Sequence, residues 1–115
     1  MNKKGDQRRM NPQLNKGILE MILLLQLQKS DNYAYILSKK AAESLGVTEG
    51  AVYPVLKRLE KKNLVSTYDI PHGKRVRKNY HLLDSGEDYL TALLEQWKKI
   101  NQAIQNNIKE NFDEK

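Results

Sequence analysis

Leu14, Ile18, Met21, Ile22 and Leu25 recur at three- and four-residue spacing, the period of one helix face, and leucines at 19, 23, 24 and 27 occupy further positions around the same segment. A helix this widely apolar is expected to be buried on more than one side. Pro12 suits its first turn and Asn11 its N-cap. The run KSDNYAY interrupts the period with turn formers, of which Asp31 or Asn32 is expected to cap a second helix carrying Ile36, Leu37, Ala41 and Leu45. Gly46 sits where a helix ends in the left-handed conformation.

Thr48 then caps a third helix, with Val52, Val55, Leu56 and Leu59 on one face and Asn63 at its close. Its first half holds Gly50, Val52, Tyr53 and Pro54, all weaker helix formers than the residues after them. Pro54 falls beyond the first turn if Thr48 is the cap, which predicts a slight kink or a start nearer Val52. LVSTYDI and VRKNYHLL, separated by PHGK, read as a β-hairpin with a basic tip, which has to pack against the helices to be stable.

Asp84 is expected to cap the last helix, with Glu87 completing a capping-box-like pair. Leu90, Leu93, Leu94, Trp97, Ile100, Ile104, Ile108 and Phe112 continue one apolar row for more turns than a three-helix core can cover, so the excess calls for a second chain. The expected organisation is a basic N-terminal arm (1–11), a winged helix-turn-helix domain (12–83), an element order whose third helix can enter the DNA major groove, and a C-terminal dimerisation helix (84–115). The fold class is mainly α with a β-hairpin wing, a winged helix-turn-helix.

Charge sharpens this picture. The 115 residues carry a net +6. Lys and Arg outnumber acids eight to three over residues 48–80, whereas acids prevail seven to four over residues 84–115. A basic centre attracts polyanions, of which DNA, RNA and anionic membrane are the usual candidates. Cysteine is absent, which fits a reducing cytosol and excludes thiolate metal sites. The basic start and the following ILEMILLLQLQ resemble a signal peptide in outline. Glu20 interrupts the run, no small-residue cleavage site follows and the run is too short to span a bilayer, so a buried helix of a soluble, cytoplasmic protein is expected.

GAVYPVLKRLEKKNLV resembles the recognition-helix segment of PadR-like transcriptional regulators, where a glycine, a Tyr-Pro pair and a Leu-x-Arg-Leu-Glu run occur in that order. DNYAYIL resembles that family's second-helix entrance, and KRVRKNYHLLDSG its wing and Tyr-x-Leu-x-x-x-Gly junction. Together the matches cover most of Leu14 to Trp97. The single C-terminal helix is similar to the smaller subfamily; Asn63 stands where glycine is common and Leu83 where threonine is usual.

The resemblance implies a homodimeric regulator, usually a repressor, acting on double-stranded DNA at a two-fold symmetric operator. It places Tyr35, Thr48, Gly50, Tyr53, Lys57 and Arg58 near DNA, with Lys74, Arg75, Arg77 and Lys78 on the wing. Lys61 and Lys62 lie farther along the helix and are weaker candidates. Leu14, Leu90, Leu94, Trp97, Ile100, Ile104 and Ile108 would serve dimerisation. LEQWKKIN resembles the segment of multidrug-sensing members in which paired tryptophans stack on a flat aromatic ligand, implying a small hydrophobic or aromatic effector at Trp97 with Glu20, Met21 and Asn101.

Each role has a plainer counterpart: Tyr53 as a half-buried anchor, the cations as a solvated face or a guarded strand edge, Trp97 as core. The whole fold also has one, a winged-helix protein-interaction module without specific DNA binding. His72 and His81 have no neighbouring metal-ligand pattern and read as surface wing residues. No nucleophile–base pair or phosphate-cradling loop is present, so neither an enzyme nor a cofactor is expected.

Overall fold

The computed structural model describes residues 12–113. The order is α1 (Pro12–Lys29), β1 (Asn32–Tyr33), α2 (Ala34–Leu45), α3 (Glu49–Lys61), β2 (Val65–His72), β3 (Arg75–Leu82) and α4 (Asp84–Asp113). The winged helix-turn-helix expected from the sequence is therefore present, with one addition. Asn32 and Tyr33 pair with Tyr80 and Asn79 of β3, making a three-stranded antiparallel sheet in the order β1-β3-β2. Asn11, and with it the expected first cap, lies outside the described residues.

The two apolar faces of α1 have different fates. Leu19, Leu23, Leu24 and Leu27 are buried in the core with Leu37 and Ala41 of α2, Val52, Val55, Leu56 and Leu59 of α3, Leu64, Val65, Tyr80 and Leu90. Ile18, Met21 and Ile22 are only half-buried, and Leu25 is 41% exposed. The second face points along α4 rather than into the core.

Turn chemistry accounts for most of the joints. Gly46 adopts φ +70° and donates its N–H to Ala42, ending α2. Thr48 Oγ1 accepts from Ala51 N at 3.3 Å, so α3 begins at Glu49 and runs unbroken past Pro54. The missing Pro54 N–H leaves the Gly50 carbonyl without its helical donor, and both residues are exposed, where water can serve that oxygen. Asn63 takes φ +59°, and Leu64 N bonds back to Leu59 O.

Two expected caps are corrected. Asp31 and Asn32 do not cap α2: β1 displaces the helix start to Ala34, the cap position falls on Tyr33 without a side-chain bond, and Asn32 Oδ1 accepts from Tyr33 N instead. Asp84 lies inside α4. Glu87 N bonds to Leu83 O, so Leu83 holds the cap position, while Asp84 and Glu87 place negative charge on the first turn, where the helix dipole favours it.

The start of α4 is pinned to the end of α3. Leu83 N and Ser85 Oγ donate to the carbonyls of Leu64 and Asn63, at 3.1 and 2.7 Å. Beyond this anchor every residue from Glu95 to Phe112 is exposed. The radius of gyration is 17.2 Å, against about 13 Å for a compact chain of this length.

Gly86 is the contact on which that anchor turns, because a β-carbon there would overlap the Leu64 carbonyl and the Leu82 side chain. Gly86→Ala should therefore lower stability by about 1–3 kcal/mol despite alanine's better helix propensity. Urea unfolding measures this; an unchanged or raised midpoint would remove the close-packed junction from the account.

Candidate nucleic-acid interface

Helix α3 has one face committed to the core, since Val52, Val55, Leu56 and Leu59 are all at most 3% exposed. The opposite stripe, Gly50, Tyr53, Pro54, Lys57 and Lys61, is exposed throughout and recurs at helical spacing. Tyr53 keeps 40% of its surface accessible. A β-carbon built on Gly50 would meet only Thr48 Oγ1, at 4.0 Å. The chain's own packing has no need of glycine there.

The two flanks of α3 are tied down by opposite charge pairs. On the side facing α1, Glu20 Oε2 accepts from Arg58 Nε at 3.2 Å and from Lys62 Nζ at 3.3 Å, while Glu20 Oε1 accepts from the Tyr89 hydroxyl at 2.9 Å. On the side facing the wing, Glu60 accepts from Lys78 Nζ and from Thr67 Oγ1, both at 3.4 Å. Burial alone would raise the Glu20 carboxyl, but the hydrogen bonds from Tyr89, Arg58 and Lys62 outweigh it and hold Glu20 below the ordinary carboxylate range. Lys62 is correspondingly held above its ordinary value, its own desolvation being outweighed by Tyr89 and Glu20.

The wing strands pair from Val65↔Leu82 to His72↔Arg75, with Gly73 at φ +63° and Lys74 in the two-residue turn. Alternation along β3 sends its cations to different faces. Lys78 shares the core-side face with Tyr80 and reaches Glu60. Arg77 lies on the far face, 4.2 Å over the ring of Tyr33 from β1, a stacked cation–π pair. Lys74 and Arg75 sit exposed at the tip, in no ion pair among the described residues. Also on the far face, Asp31 accepts from the Tyr68 hydroxyl at 2.8 Å and lies 2.9 Å from His81 Nδ1. Its carboxyl, which burial alone would raise, is lowered by these two partners, and the group braces both wing strands against the α1–α2 turn.

Of the residues expected near DNA, Gly50, Tyr53, Lys57, Lys74 and Arg75 are therefore outward and available. Thr48 spends its hydroxyl on the cap, Tyr35 stands 49% exposed on α2 beside Lys39, and Lys78 is joined to Glu60. Arg58 differs most from expectation: its side chain is 30% exposed and turned to Glu20. Lys61, a weaker candidate by sequence, shares the outward stripe with Lys57.

A cleft of about 240 Å³ opens between α1 and α4, lined by Ile18, Met21, Ile22, Leu25, Leu94 and Trp97. Met21 and Trp97 meet there as expected, but two companions do not. Glu20 points to the other side of α1, drawn by its three donors, and Asn101 lies exposed on α4 outside the cleft lining. Beyond the cleft, Trp97, Ile100, Ile104, Ile108 and Phe112 form a stripe 39–70% exposed. Leu90 is not part of it; fully buried, it belongs to this chain's own core. The side chain of Leu14 lies outside the described residues. A separate polar hollow of about 330 Å³ includes Asp31, His81, Asp84 and Glu87, yet no group of three His, Cys, Asp or Glu able to hold a metal ion occurs among the described residues. Among the same residues no helix is long and apolar enough to cross a membrane.

The contacts that sequence reasoning missed all depend on tertiary neighbours. Tyr33 and Tyr89 carried no signal, since a two-residue strand has no period and a lone tyrosine on a helix names no partner.

Comparison with known proteins agrees with this architecture. The family model described as the transcriptional regulator PadR-like family matches residues 23–92, from the middle of α1 to the third turn of α4. A protein from Lysinibacillus sphaericus is 30% identical over 95 residues, spanning 77% of this chain and 86% of its own length. Among solved structures, a Streptococcus mutans protein is 35% identical with a TM-score of 0.75, covering 82% of this chain and 89% of that one. A PadR family transcription regulator from Clostridium difficile is 29% identical with a TM-score of 0.70, covering 78% and 97%. A PadR-like transcriptional regulator from Bacillus cereus is also 29% identical, with a TM-score of 0.73 and coverage of 84% and 96%.

Proposed function

This chain belongs to the PadR-like family of transcriptional regulators, and from that premise we propose that it is a homodimeric repressor that reads a two-fold symmetric operator with the outward stripe of α3. The observation that carries the reading is Gly50. The fold leaves space for a side chain there, and the residue stands beside Tyr53 and Lys57 on the one face of α3 not held by the protein itself. A bare backbone at the start of an outward helix suits close approach to a groove, with first-turn amides toward phosphate. Lys61 continues that stripe, Tyr35 and the wing-tip Lys74 and Arg75 would add contacts beside it, and Arg77 and Lys78 support the wing.

In the proposed domain division residues 12–83 engage DNA and the helix from 84 onward engages a second copy; the basic arm expected at residues 1–11 lies outside the described residues. Trp97, Ile100, Ile104 and Ile108, with Leu94 and Leu14, are the proposed dimer seam. An apolar row of this length along a projecting helix is what a second identical helix covers. Working in the cytoplasm, the repressor would be released by a small hydrophobic or aromatic ligand entering the cleft at Met21 and Trp97. That cleft is apolar and near the lower end of ligand-pocket size in a single chain, and a dimer would enlarge and close it.

Gly50→Ala separates folding from binding. It should leave stability unchanged or raise it by up to about 1 kcal/mol, yet weaken operator binding about tenfold, the scale of one lost close contact. Anisotropy titration on a promoter duplex checks it, and parent-like affinity would remove the proposed docking face. For the effector, Trp97 is the only tryptophan, so its fluorescence has one source. Micromolar planar aromatic dye should quench it; emission that stays constant would rule out ligand stacking at the seam.

A further inference from the structure

Four cations lie on or beside the exposed side of α3, and the structure treats them as two pairs. Lys57 and Lys61 face outward, in no ion pair among the described residues. Arg58 and Lys62, each one residue further on, share a single carboxylate oxygen of Glu20. The side chain of Glu20 is 7% exposed, whereas those of Arg58 and Lys62 remain 30% and 42% exposed. The anion is thus buried and fixed while both cations stay at the edge of the DNA-facing surface. Lys62 is held further by the Tyr89 ring, 5.3 Å below its ammonium, and by the Tyr89 hydroxyl at 3.4 Å.

Phosphate neutralisation by Lys and Arg supplies nearly all non-specific DNA affinity, whereas base contacts and the pose of the recognition helix supply discrimination. A cation kept by an internal carboxylate releases no counterion from DNA. We propose that Glu20 is a specificity-determining residue: it withholds Arg58 and Lys62 from phosphate and fixes the roll of α3, lowering affinity for unrelated sequence relative to the operator. The inference rests on the proposed docking of α3, and it assigns Glu20 a role separate from the effector cleft.

Removal of the charge should therefore strengthen binding to unrelated DNA, the opposite of what loss of a merely structural ion pair would do. The probe is a labelled random-sequence duplex titrated with the full chain by anisotropy at several salt concentrations. Glu20→Gln preserves shape and hydrogen-bond acceptance while freeing the cations. It is expected to raise non-specific affinity about three- to tenfold at low salt, and to steepen the salt slope by about one to two units per bound subunit. Tyr89→Phe, which leaves both ion pairs, should keep the parent slope.

A folded Glu20→Gln chain with an unchanged or shallower slope would overturn the inference. Should that variant fail to fold, Arg58→Gln and Lys62→Gln give the same reading. The parent slope should survive each of them, and a loss of about one unit per bound subunit in either would mean that the cations already reach phosphate. Lys57→Gln identifies the level of any failure. A loss of about one unit per bound subunit supports the α3 docking, whereas a parent-like slope would remove that docking and this inference with it.

Discussion

Helix α1 holds more large apolar side chains than one neighbour can cover, and the arrangement of the molecule follows from that excess. Leu19, Leu23, Leu24 and Leu27 draw α2, α3 and the base of the sheet onto one side. Ile18, Met21, Ile22 and Leu25 remain for α4, which supplies Leu94 and Trp97 but runs on past them. Each buried leucine side chain is worth about 1.5–3 kcal/mol relative to exposure. The second face is thus a sizeable reservoir of association energy in a small chain, and the proposed dimer seam draws on it.

Charge works at a finer level than the core, by deciding which side of α3 faces out. A helix held only by four apolar residues can roll a little without leaving its groove. Glu20 on one flank and Glu60 on the other take hold of Arg58, Lys62 and, through Lys78 and Thr67, the wing. Such pairs add little stability where they are exposed, and their better-attested use is to fix one geometry among several. The outward stripe is then defined by exclusion: Gly50, Tyr53, Pro54, Lys57 and Lys61 are what remains after the core and both flanks have been assigned.

Much of this was legible in the sequence, for identifiable reasons. Helices were visible through apolar period, and their ends through Gly46, Thr48 and Asn63, because local chemistry determines those joints. The hairpin was visible through β-branched residues around a Pro-His-Gly tip. Strand β1 was not, since its two residues owe their conformation to Tyr80 and Asn79 rather than to their own preference. The expected cap at Asp84 failed for a similar reason: Asn63 and Leu64 hold the first turn from outside. On α3, adjacent cations such as Lys57 and Arg58 are indistinguishable in sequence. Only the position of Glu20, 38 residues earlier, divides them. The same carboxylate, expected beside the ligand cleft, lies on the other side of α1 because three donors sit there.

In the proposed regulator, two copies joined along α4 would present two α3 stripes to successive major grooves on one face of the duplex, about 34 Å apart. Hydroxyl-radical footprinting of the purified chain on the promoter region of its own gene tests this most directly. The account predicts two protected tracts related by a dyad, their centres about one helical turn apart, with Tyr53 and Lys57 required for both. One isolated tract, or uniform protection without a dyad, would contradict it.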